Sequence, residues 1–193
     1  MIIFAKYKKG FMRVPKTGTW TISEYFEKHL VVKKERHNYV IYKKPEYILE
    51  LKNKQTHTTH ATLDTIKEQY TKYPLPSYFF TIVRHPFTRT ISEYNDYCKR
   101  FGQVDLDIFI EQELHIPSHI NYWTEGQYQY YKDCAAFYKF EDGIDTAFEK
   151  EGIPFKLSKH FHKSLVKSDL NDQQKERIYF KFKREFEDLN YDF

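Results

Sequence analysis

The alternation of apolar and polar positions changes character around Pro15. Before it, Phe11, Met12 and Val14 form an apolar run that reads as a buried strand, which the proline ends because it has no backbone donor. After it, Ile22, Tyr25, Phe26 and Leu30 recur at helical spacing, with Thr19 or Thr21 placed to cap the helix and Glu24 near its first turn. Between the two lies a tight loop, Lys16-Thr17-Gly18-Thr19. The opening stretch, Met1 to Phe11, holds only a short apolar run before its lysines, which predicts a first strand rather than a signal peptide or membrane anchor.

Further along, Val31 to Pro45 interleaves Val40 and Ile41 with Lys33, Lys34, Arg36, Lys43 and Lys44, predicting a loop and a short strand whose charges form a solvated face. A helix is expected through Ile66 and Tyr70. Tyr78 to Val83 is a continuous apolar run, bounded by Pro74 and Pro76 before it and Arg84-His85-Pro86 after it, which predicts a fully buried parallel strand. From Phe87 a helix follows, with Phe87, Ile91, Tyr94 and Cys98 along one face. Leu106 to Leu114 predicts a helix, Phe137 to Phe140 a strand, Glu141-Asp142-Gly143 a turn, and the residues through Phe148 another helix. Asn171 to Leu189 predicts a long charged helix with Ile178, Phe182 and Phe186 facing inward. Strands alternating with helices make this an α/β chain with a mostly parallel sheet covered on both faces. No repeat, low-complexity tract or proline-rich linker interrupts it, so residues 1–193 are expected to form one domain.

Composition narrows the function classes. At 193 residues the chain can bury a core without staples, and 19% aromatic with 30% charged residues is globular. The formal charge of +4 suits an anionic small molecule or glycan but is too slight to argue for nucleic acid. Cys98 and Cys134 are far apart and in no metal-ligand spacing, which points to free thiols in a reducing compartment.

The chemistry concentrates in two places. A strand feeding a glycine-containing loop that opens a helix aims backbone N–H groups and the helix dipole at one point, where an anion is stabilised. Lys16 adds a positive charge there, and Thr17, Thr19 and Thr21 add hydroxyls, so a phosphate or sulfate-like group is the natural guest. An ordinary strand-to-helix turn would use similar residues. Arg84 sits at the carboxyl end of the second predicted strand, where open α/β sheets bind ligands, and Ser92 follows eight residues on, two helical turns away. His57 and His60, three apart, could face a metal, but no third ligand can be named; a general base is the better use of a histidine facing the loop.

These two blocks resemble the sulfotransferases that use 3′-phosphoadenosine 5′-phosphosulfate (PAPS). In that family a PK[ST]GT loop cradles the 5′-phosphosulfate, matched here by Pro15-Lys16-Thr17-Gly18-Thr19, and an arginine ending a later strand with a serine eight residues on holds the 3′-phosphate, matched by Arg84 and Ser92. VPKTG followed by VRHPFTRTISEY is most similar to the branch of the Golgi carbohydrate sulfotransferases, including the uronyl 2-O-sulfotransferases. Weaker matches are Gln127, the FYKFED segment, His160 to Ser164 and the closing FEDLNYDF; His162 stands where the family usually has asparagine. The resemblance implies a P-loop-NTPase-like central parallel sheet flanked by helices. It implies PAPS as co-substrate without a metal, held by Lys16, Thr17, Gly18, Thr19, Trp20, Arg84 and Ser92. Lys16 would stabilise the leaving group, and His60, with His57 in reserve, would be the base. The acceptor would be a hydroxyl of a glycan or small molecule, and the chain a compact soluble, cytoplasmic relative with no membrane span. The other readings are a nucleotide or small-molecule kinase, which would want the Walker lysine position and acidic Mg²⁺ ligands, and a non-catalytic nucleotide- or nucleic-acid-binding protein of the same fold.

Overall fold

The computed structural model describes residues 1–29, 31–34, 39–43, 48–51, 60–71, 74–119, 125–156 and 169–193. Seven strands form one sheet: β1 (Ile2–Phe4), β2 (Lys9–Met12), β3 (Val31–Lys34), β4 (Tyr39–Lys43), β5 (Ile48–Leu51), β6 (Tyr78–Val83) and β7 (Ala136–Lys139), in the order β3-β4-β5-β1-β2-β6-β7. The neighbours β2, β6 and β7 run parallel, with Phe11 opposite Phe80 and Val83 opposite Lys139. This is the parallel core that strand–helix alternation predicts. The other pairs are antiparallel, so a hairpin-built wing extends the parallel core on one side. β1 and β2 are joined by a short 3₁₀ turn over Ala5–Tyr7 and by Lys8 in the left-handed region at φ 52°.

Side chains alternate across this sheet and seal both faces. Ile2, Phe4, Phe11, Phe80 and Ile82 pack with Phe26 of α1 (Thr19–His29) on one side, while Met1, Ile3, Met12 and Phe79 pack with Leu63 and Ile66 of α2 (Leu63–Gln69) on the other. The first cluster is largely aromatic: Phe80 lies 5.2 Å from Phe11 and 5.5 Å from Phe148, rings tilted or edge-on. Truncating such a ring costs about 3–5 kcal/mol.

The helix α3 (Pro86–Phe101) starts on Pro86, and the His85 ring caps it by accepting from Phe87 N at 3.2 Å through Nδ1. Next come α4 (Leu106–Glu111), the one-turn α5 (Tyr128–Tyr131), α6 (Ile144–Lys150) and α7 (Asp172–Asp188), the last opened by an Asn171/Gln174 capping box. Ile178, Phe182 and Phe186 of α7 are buried against Tyr94 and Phe109, as the apolar spacing predicts.

The buried face of α3 differs from the sequence expectation. Phe87, Ile91 and Cys98 are only half-buried, and the interior positions are Pro86, Arg89, Thr90, Glu93 and Tyr94. Apolar periodicity misplaces this face because its two charged residues, Arg89 and Glu93, have polar partners inside the protein. Two smaller differences concern the first helix and the basic stretch. Gly18 occupies the N-cap position of α1, its carbonyl accepting from Ile22 N at 3.2 Å, in place of either threonine. The basic stretch after α1 contains two strands rather than one.

Candidate active site

The loop between β2 and α1 is built by two residues with positive φ, Lys16 at 65° and Gly18 at 75°. A lysine in this region is strained by roughly 1–2 kcal/mol, which the surrounding contacts must offset. At Gly18 a side chain is excluded twice over, by the backbone angle and because a Cβ would meet Ile144 at 2.5 Å. Thr17 is fully buried, and its hydroxyl donates to Val14 O at 2.9 Å, so it ties the loop back to the strand. Among the described residues, nothing accepts from the main-chain amides of Lys16, Thr17 and Gly18. Three adjacent amides at a helix start fit an anion.

Arg84 brings the second block to the first. It follows β6, and its Nη1 donates to the Lys16 carbonyl at 3.1 Å while Nε donates to Thr88 Oγ1 at 3.1 Å. The guanidinium also lies over the Phe140 ring, 4.7 Å from its centroid. Thr88, Ser92 and Asp96 share one stripe of α3 at four-residue spacing. Asp96 accepts from Lys16 Nζ at 3.0 Å, so half-buried Ser92 stands between the residue that holds Arg84 and the residue that holds Lys16. Burial pushes the Asp96 carboxyl up, but Arg100 and Lys16 more than offset it and hold it below the usual range.

The end of β6 is fixed from behind by a buried polar network. The Gln127 amide pairs with the Arg84 backbone in both directions, each bond 2.8 Å. Gln127 in turn donates to Glu185 from its main chain and, at 2.9 Å, from its side chain. Glu185 is also paired with Arg89 at 2.9 Å, both fully enclosed. Gly126 permits this approach, since a Cβ there would sit 2.1 Å from Glu185 Oε1.

His60 adjoins the loop on its other side. Its Nδ1 lies 2.9 Å from the carbonyl of Arg13, and a carbonyl can only accept, so Nδ1 carries the hydrogen and Nε2 the lone pair. Desolvation, then the positive charge of Arg13, holds its pKa well below 6.5. At an edge-on 89° and 5.2 Å between centroids stands His119, whose Nδ1 is 2.9 Å from both oxygens of buried Glu93.

The structure therefore brings together Lys16, Thr17, Gly18, Thr19, Arg84 and Ser92, with His60 beside the loop and Trp20 exposed at the second position of α1. His57 and the segment from His160 to Ser164 lie outside the described residues. Sequence reasoning missed His119, Glu93 and Asp96; the only signal was two acidic residues on a helix whose sequence also carries an arginine at an inward position. Among the described residues no group of three His, Cys, Asp or Glu side chains is placed to hold a metal ion, and no helix is long and apolar enough to cross a membrane. Cys98 and Cys134 are free thiols.

Comparison with known families supplies the decision. The model for the sulfotransferase family matches residues 1–160, which include the Lys16 loop, His60, Arg84 and Ser92. The chain belongs to the sulfotransferase family. Sulfuryl transfer is the chemistry this membership supports, and the α/β sheet with its strand-loop-helix is the fold expected of such a sulfotransferase. No curated protein and no solved structure matches the chain significantly.

Proposed function

We propose that this sulfotransferase moves a sulfuryl group from PAPS to a hydroxyl group of a carbohydrate. The observation that supports the reading is the 3.1 Å bond from Arg84 to the Lys16 carbonyl, which brings the two sequence blocks side by side. Two anionic groups on one nucleotide need two such blocks a fixed distance apart. The unpaired loop amides and Lys16 suit the phosphosulfate end, Arg84 and Ser92 the 3′-phosphate, and Trp20 offers an exposed aromatic face to the base.

PAPS supplies an activated sulfuryl group whose leaving group is a phosphate. Lys16 Nζ, now paired with Asp96, is on a side chain 15% exposed and turns to the leaving oxygen as charge builds there. The loop amides hold the same charge without reorganising. His60, neutral and with its tautomer set by the Arg13 carbonyl, offers Nε2 to the acceptor's hydroxyl proton. A base of this kind suits a sugar hydroxyl, which is too weakly acidic to ionise unaided, better than a phenol.

The direct test is transfer of radiolabelled sulfate from PAPS to a panel of oligosaccharides and phenols, with Lys16→Ala as control. Labelled oligosaccharide from the native protein and none from the variant supports the reading. Transfer to phenols alone would refute the carbohydrate acceptor, and phosphoryl transfer from ATP with Mg²⁺ would replace the donor.

A further inference from the structure

Two segments that nucleotide binding leaves unexplained, FYKFED (137–142) and FEDLNYDF (186–193), meet at the residue that follows Arg84. Glu141, exposed on the 3₁₀ turn Phe140–Asp142, accepts from the His85 main-chain amide at 2.9 Å through Oε1 and from the Tyr191 hydroxyl at 3.0 Å through Oε2. The His85 ring donates from Nε2 to the Asp192 carbonyl at 3.1 Å and lies 4.8 Å from the Tyr191 ring. Tyr191 is itself anchored. Its amide donates to Phe186 O at 3.0 Å, and Lys139 Nζ lies 4.4 Å from its ring centroid while donating to Asn190 O at 2.9 Å. Burial, then the Glu141 carboxylate, pushes the Tyr191 phenol up, so it stays a donor at any working pH. Hydrogen bonds this exposed add little to fold stability; what they fix is spacing. Glu141 follows Phe140, whose ring carries the Arg84 guanidinium, and His85 follows Arg84. The Glu141–His85 bond therefore ties the arginine's main chain to the ring beneath its side chain, and the Tyr191 hydroxyl holds the carboxylate in the rotamer that makes this bond.

We infer that Tyr191 and Glu141 are positioning residues for Arg84, a clasp by which the segment after α7 sets this arginine for the nucleotide's 3′-phosphate. The inference rests on the sulfuryl-transfer reading. An arginine side chain has many rotamers, and ordering it only when the ligand arrives weakens binding; holding it beforehand avoids that loss. Arg84 is held in three directions, by Thr88 at Nε, by the Lys16 carbonyl at Nη1 and by Phe140 under the guanidinium face. The clasp sets the third of these. Its loss therefore bears on the phosphate that Arg84 meets, and not on the one at the Lys16 loop.

The experiment compares the native protein with Tyr191→Phe, which keeps the ring against His85 and Lys139 and removes only the hydroxyl. In calorimetry, affinity for adenosine 3′,5′-bisphosphate should fall about fivefold, while affinity for adenosine 5′-monophosphate stays within about twofold of native. In an Arg84→Ala background the same substitution should make no further difference, since the hydroxyl acts through that arginine. NMR of the nucleotide-free protein, with the Arg84 Nε–H signal assigned by its loss in Arg84→Ala, should show that proton exchanging with water several-fold faster in Tyr191→Phe. Glu141→Gln, whose Oε1 can still accept from His85 while its amide donates to the Tyr191 hydroxyl, should bind the bisphosphate as the native protein does. A merely structural role would lower the melting temperature and weaken both nucleotides alike. Unchanged Arg84 Nε–H exchange in Tyr191→Phe, an equal loss for both nucleotides, or the full loss retained in Arg84→Ala overturns the inference. A native protein that binds neither nucleotide refutes the donor reading instead, and the exchange measurement, which needs no nucleotide, still decides the clasp.

Discussion

Two buried carboxylates, Glu93 on α3 and Glu185 on α7, are satisfied in different ways. Glu185, 2% exposed, meets the permanent cation of Arg89 and two donors of Gln127, and through Gln127 it fixes the backbone of Arg84. Glu93, 0% exposed, meets His119 Nδ1 and the main-chain amide of Ile116, and the His119 ring lies edge-on to His60 beside the loop. The first arrangement is rigid because an arginine stays charged at any working pH. The same helix thus carries one pair behind the strand end at Arg84 and another beside His60.

The comparison breaks most severely at Glu185. Glu185→Ala leaves the Arg89 guanidinium buried without its carboxylate and should cost about 3–5 kcal/mol in denaturant unfolding. A loss under about 1 kcal/mol would show that the pair does not hold the strand end. Next in size, Lys16→Ala should reduce sulfuryl transfer by roughly 10²–10³-fold with stability little changed, read as initial rates at saturating donor. If the rate stays within a few-fold of native, the loop lysine does not meet the leaving group.

Asp96→Asn separates ground-state restraint from catalysis. The Lys16–Asp96 pair is partly exposed, so it contributes at most about 1 kcal/mol and its loss should tighten adenosine 3′,5′-bisphosphate binding by no more than about fivefold in calorimetry. Weaker binding in that variant would mean that Asp96 helps to hold the nucleotide. The smallest effect concerns acid stability. His60 is held neutral in the folded protein, so below about pH 6.5 the unfolded chain binds the extra proton and stability falls as pH drops towards the lower folded value. His85 shifts the same way through burial, its Nε2 turned to the Asp192 carbonyl. The melting temperature should therefore fall between about pH 6.5 and 5, and His60→Asn should flatten part of that fall. An equally steep fall in the variant would place the acid sensitivity elsewhere.

What was legible in the sequence was whatever a short stretch of chain decides locally. The β6 strand was readable to its last residue because a continuous apolar run between prolines has one stable use, and the Lys16 loop because strand, glycine and helix follow within a few residues. Arg84 and Ser92 were legible as a spacing. The antiparallel wing was not, since β3 and β4 read as basic, mixed sequence and their pairing is decided by distant partners. Glu93 and His119 are 26 residues apart, and Gln127 and Glu185 are 58 apart, so no window joins them. A charged residue on a helix looks solvated until the partner that lets it go inside is known, which is why the buried face of α3 was misread.

In the proposed reaction, Lys16 and Arg84 hold the two phosphates of one nucleotide. Thermal unfolding with adenosine 3′,5′-bisphosphate, set against adenosine 5′-monophosphate and ATP, tests it most directly. At about 100 times its dissociation constant the bisphosphate should stabilise the protein by about 2.7 kcal/mol, a shift of about 5–10 °C, and Arg84→Ala should reduce this to the level of the monophosphate. Equal shifts from the bisphosphate and the monophosphate, or a larger one from ATP with Mg²⁺, would mean that Lys16 and Arg84 do not hold a two-phosphate nucleotide.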